Sequence, residues 1–441
     1  MVAGPALAHP STQCDPWPHE ANEHAHNTLD DESAQKIRTH VGALLAESRR
    51  AIAPLAIEEM FAKNQTRRSC VLLRGSNGRL LVDLIDTPWL GRGNIEIASC
   101  YPSKVENYIR SRMHVAFRLI LRAMRRLRLP DFEVAFCPDD CPPAMNAKPG
   151  HVLPALTTIS CNQHRSLPFV AWITQPGQRA TDLSEWDSAM QTEWQPIRPW
   201  AERLPKAVFR GGLRNYSYCG GQPSDVPRYR EWITPSNWRT LGRAAIWAAR
   251  AAHPELLDVH FSNHGEMAKR WELDATSAAA LDEPKSIPMA EQARRFRYIV
   301  HPEGACTSSD RLKQSFASPM LLLKQAAPCY EWFEPFFVPG EHYVPVDGNF
   351  NNLTMAIAWA QAHDAEVQKM VAAANRRVKE VVSVAAIYEY SEALLKGYVG
   401  RYTRALANDS AWLQERRAQH FRHEFECDYT AKQTTCAMRT L

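Results

Sequence analysis

The spacing of apolar residues divides the chain into stretches of different period. Residues 1–32 are polar, hold Pro5, Pro10, Pro16 and Pro18, and show no periodicity, which predicts a disordered leader. Over 34–63, Ile37, Val41, Leu44, Leu45, Ile52 and Leu55 recur at helical spacing and predict a helix. Residues 70–86 alternate on either side of Gly75-Ser76-Asn77-Gly78, as two strands joined by a tight turn do. From 104 to 129 the helical period returns through Ile109, Met113, Ala116, Ile120 and Leu127, and Pro130 ends it. A strand at 132–137 then runs into Pro138-Asp139-Asp140-Cys141-Pro142-Pro143, a rigid turn that presents carboxylates at the strand's carboxyl end. Residues 143–205 are rich in Pro and Trp without clear period and read as long surface loops anchored by aromatics such as Trp172 and Trp186.

Beyond 206 strands and helices alternate. Strands are predicted at 207–212, 257–261, 297–301 and 320–325. Helices are predicted at 237–253 with Ser236 as cap, at 289–296, from 309, and as a short helix at 330–333. Helical patterns fill 352–361 and 365–402, where Val367, Met370, Val371, Ala374, Val378 and Val382 form one stripe. Such alternation predicts a parallel sheet and an α/β fold. A chain of 441 residues exceeds what one core usually supports, so two domains are expected. The expected division is a leader at 1–32, one domain at 33–206, a second at 207–350, C-terminal helices at 351–407 packing across both, and a polar tail at 408–441.

Composition narrows the function classes. The formal charge of +4 is too small to point to nucleic acid or a membrane surface. Arg118, Arg122, Arg125, Arg126 and Arg128 on the 104–129 helix read as a solvated outer face, not as an RNA-binding ladder. Eleven cysteines, an odd number, without paired CxxC spacing, argue against a structural zinc site and allow disulfides. Sequons stand at Asn64, Asn215, Asn352 and Asn408. The first thirty residues show neither a basic n-region nor an apolar h-region, so no signal peptide is expected in this sequence. No run of about 18 apolar residues is present, so no membrane span is expected.

Candidate chemistry concentrates between Arg297 and Leu312, a strand followed by the small-residue loop His301-Pro302-Glu303-Gly304-Ala305-Cys306-Thr307-Ser308-Ser309-Asp310 and then Arg311. Unsatisfied N–H groups at a helix start favour an anion, and an arginine beside them supplies a forked, permanently charged donor. Neither a Walker A loop nor a GxGxxG fingerprint is present, which removes the main support for a kinase or dehydrogenase.

Further motifs follow in order: Leu323-Lys324-Gln325, Glu331-Trp332-Phe333 and His342-Tyr343-Val344-Pro345, preceded by Leu129-Pro130-Asp131-Phe132-Glu133, Asp139-Asp140-Cys141-Pro142 and Phe209-Arg210-Gly211. Over roughly 105–400 this succession resembles glycosyltransferase family 90, which includes the protein O-glucosyltransferases and the capsule-associated xylosyltransferases. The resemblance implies a GT-B-like fold of two Rossmann-type domains facing a cleft, with a long C-terminal helical segment. It implies inverting transfer of glucose or xylose from a UDP-sugar to a hydroxyl of a protein or glycan, with no cofactor and no metal required. In it Asp140 stands at the base position, with Asp139 its rival. Gly304, Ser308, Ser309 and Arg311 match the diphosphate-binding elements. Arg210 matches a position that could reach the diphosphate, or could be a structural ion pair. Tyr298 belongs to the donor-side strand, and Glu331 suits hydrogen bonds to donor hydroxyls. The expected partners are a UDP-sugar and a protein or glycan acceptor, not nucleic acid. The resemblance places the protein in the endoplasmic reticulum or Golgi lumen; the lack of a visible signal leaves the cytoplasm as alternative. An inactive binding module of the same fold is the rival reading.

Overall fold

The computed structural model describes residues 29–47, 70–83, 105–138, 152–161, 165–170, 186–187, 190, 194–213, 216–218, 230–280, 287–304, 311–327, 329–406, 423–430 and 433–440. They form two α/β lobes, each built on its own sheet.

The first lobe opens with the expected hairpin, β1 (Val71–Ser76) and β2 (Arg79–Asp83). Its turn places Asn77 at φ 51° and Gly78 at φ 75°, the left-handed pair that a two-residue connection between right-twisted strands requires. β3 (Phe132–Cys137) pairs antiparallel to β1, then β4 (Val152–Thr157) pairs parallel to β3; β5 is Ser160–Cys161, and β6 (Arg165–Pro168) runs parallel to β4. Strands β4 to β6 replace part of the loop region expected at 143–205. They are short, and Pro154 sits where the β4–β6 register shifts, so no period could build up along the sequence.

The second lobe holds β7 (Leu204–Gly211), a small hairpin of β8 (Tyr216–Tyr218) and β9 (Arg230–Trp232), β10 (Leu257–Phe261), β11 (Phe296–His301), β12 (Leu321–Gln325), β13 (Cys329–Tyr330) and β14 (Val344–Val346). Its main sheet has the order β10-β7-β11-β12-β14 and is parallel throughout. Alternate residues face opposite layers. Ala207, Phe209, Tyr298, Val300, Leu321 and Leu323 join a core with the helices Gly242–Ala252 and Leu353–Ala362. Val208, Ile299 and Leu322 join the other core, with Leu312 and Phe316 of the helix Arg311–Ala317. Helices on both faces make this a doubly wound lobe.

Three elements differ from expectation. The helix predicted from 237 begins at Gly242: Asn237 Oδ1 accepts the Thr234 N–H at 2.7 Å, which closes a turn, and Gly242 has φ 53°. Residues 330–333 do not form a helix, because β13 pairs antiparallel with β5 of the first lobe. The expected tail supplies β15 (His423–Thr430) and β16 (Gln433–Thr440), which extend the first sheet beyond β2. The helix expected at 34–63 is present as Asp31–Glu47, and Ile52, Leu55 and Trp172 lie outside the described residues.

The C-terminal helices cross between lobes. The helix Asp364–Val381 packs on β12 and the helix Arg311–Ala317, and the chain then continues as Val384–Leu406 against the first-lobe helices Asp31–Glu47 and Val105–Leu127. Glu392 receives Arg122 and, at 3.0 Å, Arg126, while the Arg122 guanidinium stacks 3.7 Å over Tyr388. Part of the arginine ladder is therefore a helix–helix contact, where the sequence suggested a solvated face. Among the described residues two disulfides form. Cys70, just before β1, is bonded to Cys137, the last residue of β3, and Cys161–Cys329 joins directly opposed residues of β5 and β13 and so links the lobes. β5 follows β4 by two residues and β13 follows β12 by three, so this staple brings the carboxyl ends of both sheets together. Among the described residues no helix is long and apolar enough to cross a membrane.

Candidate active site

In the second sheet β7 has β10 on one side and β11 on the other, and the chain reverses its direction of travel between β7 and β11. Loops leaving the carboxyl ends of two such strands depart to opposite faces and open a crevice, where ligands of doubly wound folds bind. β7 ends at Arg210-Gly211 and β11 at His301, so the motifs singled out in the sequence flank this switch point.

Arg311, first residue of its helix, reaches across the crevice mouth and donates through Nη1 to the main-chain carbonyl of Arg210. The approach requires glycine at 211: an added Cβ there would stand 2.8 Å from the Phe209 ring and 3.1 Å from Arg311 Nη1. Burial depresses the Arg311 pKa below its ordinary value, and no carboxylate among the described residues acts on it. Arg243 ties the two loops together, donating to Gly212 O at 2.6 Å and to Glu303 O at 2.8 Å.

Beneath lies a network of buried charges. Lys324 Nζ stands 3.0 Å from Glu334 Oε2 and 3.5 Å from Glu303 Oε1; burial works to lower its pKa, and the negative charge of Glu334 foremost outweighs it and raises it. Burial pushes Glu303 up to about 8, and Glu334 and Glu331 push in the same direction while Lys324 opposes them. Gln325 explains the other half of the Lys-Gln pair: its Oε1 accepts the Glu303 N–H at 2.7 Å and its Nε2 donates to Gly348 O at 2.6 Å. His301 is held well below its ordinary pKa by burial first, then by Lys324, Arg311, Arg243 and Lys313. The imidazole is therefore neutral near pH 7.

The expected site residues divide. Arg311 and Gly304 flank the loop at the switch point. Arg210 contributes its carbonyl there, while its guanidinium is bound to Asp258 of β10 through Oδ1 and, at 2.7 Å, the main-chain oxygen. The ion-pair alternative is thus the one the geometry shows. Tyr298 lies in the core facing the helix Gly242–Ala252, its ring 6.4 Å from that of Trp200, away from the strand's carboxyl end. Glu331 is buried and paired with Lys313 of the helix Arg311–Ala317, so it braces that helix from behind. Asp139, Asp140, Ser308 and Ser309 lie outside the described residues. Sequence reasoning missed Arg243, Glu303 and His301 as members of the site. Glu303 and His301 stood inside the singled-out loop, but Arg243 is one of several arginines on an ordinary amphipathic helix. Among the described residues no three His, Cys, Asp or Glu side chains group as metal ligands.

Residues 231–425 match the family model for glycosyl transferase family 90. The chain is 24% identical over 284 residues to the O-glucosyltransferase rumi homolog of Anopheles gambiae, covering 62% of this chain and 63% of that protein. It is 27% identical over 107 residues to protein O-glucosyltransferase 3 of Mus musculus, covering 24% of this chain and 21% of that protein. Among solved structures, the C-terminal domain of a glycosyl transferase group 1 family protein (LpcC) from Francisella tularensis aligns with a TM-score of 0.25 and 14% identity, over 46% of this chain and 93% of that one. The match thus spans less than two thirds of the length of these curated relatives.

Proposed function

From the membership of residues 231–425 in glycosyl transferase family 90, we propose that the protein is an inverting glycosyltransferase that moves glucose or xylose from a UDP-sugar to a hydroxyl of a protein or glycan acceptor. The observation that carries this reading is the Arg311 guanidinium at the switch point, on which no carboxylate among the described residues acts, where it meets the end of β7.

Departure of a nucleoside diphosphate builds negative charge that fixed donors must meet when no metal does so. In this reading Arg311 is the principal donor, assisted by Ser308, Ser309 and the main chain from Gly304 onward. Arg210 holds Arg311 through its carbonyl. Arg243 keeps the two loops at a fixed separation. Asp140, on the turn that follows β3, is the base: inversion in one displacement requires a carboxylate that takes the acceptor hydroxyl's proton as its oxygen attacks the anomeric carbon. The staple at Cys161–Cys329 joins the chain just beyond β4, which runs parallel to β3, to the chain just beyond β12 of the second sheet. The disulfides among the described residues favour an oxidising compartment, which agrees with the endoplasmic reticulum or Golgi lumen.

The test is UDP release from a panel of UDP-sugars without added acceptor, comparing wild type with Asp140→Asn and Arg311→Ala. The expected result is slow release from one preferred donor that weakens in Arg311→Ala. Acceptor-dependent transfer, once an acceptor is found, should be lost in Asp140→Asn. Absence of both binding and release for every UDP-sugar would refute the reading.

A further inference from the structure

Buried polar groups are nearly always hydrogen-bonded, so a cluster of unmet ones at a crevice needs a cause. At the carboxyl end of β11, both ring nitrogens of His301 and Oε2 of Glu303 have no partner among the described residues. His301 is 1% exposed and Glu303 3%. Loose placement does not explain the vacancy. The Glu303 N–H is bound by Gln325, its carbonyl by Arg243 and its other carboxylate oxygen faces Lys324. The residue is fixed on three sides and open at one atom.

The chemistry of these groups selects the ligand. A neutral imidazole offers one N–H donor and one acceptor nitrogen, and a carboxyl group that keeps its proton near neutral pH offers an O–H donor as well as acceptors. A phosphate oxygen only accepts and carries charge, a task that Arg311 already fits. A hydroxyl both donates and accepts, and so complements groups of mixed character.

We propose that Glu303 Oε2 and the His301 ring receive hydroxyl groups of the donor, on the ring adjoining the diphosphate held by Arg311. The proposal rests on the UDP-sugar reading of the crevice and names the residues that read its hydroxyls. Two rings of such a donor carry hydroxyls, the ribose and the transferred sugar, and both offer the same chemistry to this pair.

The experiment is calorimetric titration of UDP, 2′-deoxy-UDP, UDP-glucose and UDP-xylose into wild type, Glu303→Ala, Glu303→Gln and His301→Leu, with thermal unfolding recorded for each variant. Glu303→Ala is expected to weaken UDP-glucose binding by about 10-fold to 100-fold, the range of a lost buried hydrogen bond, with Glu303→Gln losing less. Unchanged affinity for UDP would assign the pair to the transferred sugar. An equal loss for UDP, but not for 2′-deoxy-UDP, would assign it to the ribose. Wild-type affinity of the variants for all four ligands would overturn the proposal while leaving the donor site standing. Failure of wild type to bind any of them would remove the donor-site reading itself. If Glu303→Ala does not fold, His301→Leu carries the comparison with the same outcomes.

Discussion

Arg311 Nη1 donates to the main-chain carbonyl of Arg210, so the first residue of one helix is fastened to the end of the strand beside it. This bond occupies one arm of the guanidinium, and in the proposed reading the other arm and the charge meet the diphosphate. Arg311→Ala should lower UDP affinity by about 10-fold to 100-fold, as expected for charge-assisted bonds. Arg311→Lys should be intermediate, since a lysine has no fork to hold both partners. Gly211→Ala should resemble the alanine variant by crowding Arg311 Nη1. Titration of UDP into each variant decides; equal affinities would separate Arg311 from the donor.

Lys313 and Glu331 form an ion pair with side chains 2% and 3% exposed. Removing one partner strands a buried charge, so Lys313→Met or Glu331→Leu should each cost about 3–5 kcal/mol in unfolding free energy. The double variant should recover most of that loss. A double-mutant cycle by denaturant unfolding checks this, and additive losses would contradict the pairing.

Cys161–Cys329 closes a sequence separation of 168 residues between lobes. Replacing both cysteines by serine should lower stability by about 2–5 kcal/mol. The same loss should appear on reduction of wild type and be absent on reduction of the variant, apart from any share due to Cys70–Cys137. Peptide mapping under non-reducing conditions tests the pairing directly.

Two buried groups give opposite pH dependences. His301 titrates below 6.5 when folded, so as pH falls through 6.5 the unfolded chain takes up a proton that the fold refuses, and stability drops. Glu303 keeps its proton from the ordinary 4.5 up to about 8 when folded, so in that window the unfolded chain has already released it, and rising pH lowers stability. Each slope is at most about 1.4 kcal/mol per pH unit. Between pH 4.5 and 6.5 the two slopes oppose each other, so Glu303→Gln should expose a loss of stability as pH falls below 6.5 and flatten the range from 6.5 to 8, whereas His301→Leu should expose a decline over the whole window from 4.5 to 8. Unfolding midpoints measured from pH 4 to 9 distinguish these outcomes.

The chain's own pattern determined the elements whose burial repeats along the sequence. The hairpin at Asn77-Gly78, the helix Val105–Leu127, strands β3, β10, β11 and β12 and the C-terminal helices were legible, because apolar period and turn chemistry are local properties. Tertiary structure decided the rest. Nothing local separates Arg210 as a ligand contact from Arg210 as the partner of Asp258, since the answer depends on how β7 pairs with β10, 48 residues away. Glu331 looked available to a sugar until Lys313 was brought against it from the preceding helix. The strands β15 and β16 drew no notice because a short polar alternation becomes a strand when an edge such as β2 is there to pair with. His301 and Glu303 were visible as residues, but their unmet polar atoms exist only once Gln325, Arg243 and Lys324 have closed around them. Burial is a property of the folded chain, and the chemistry of this site follows from it.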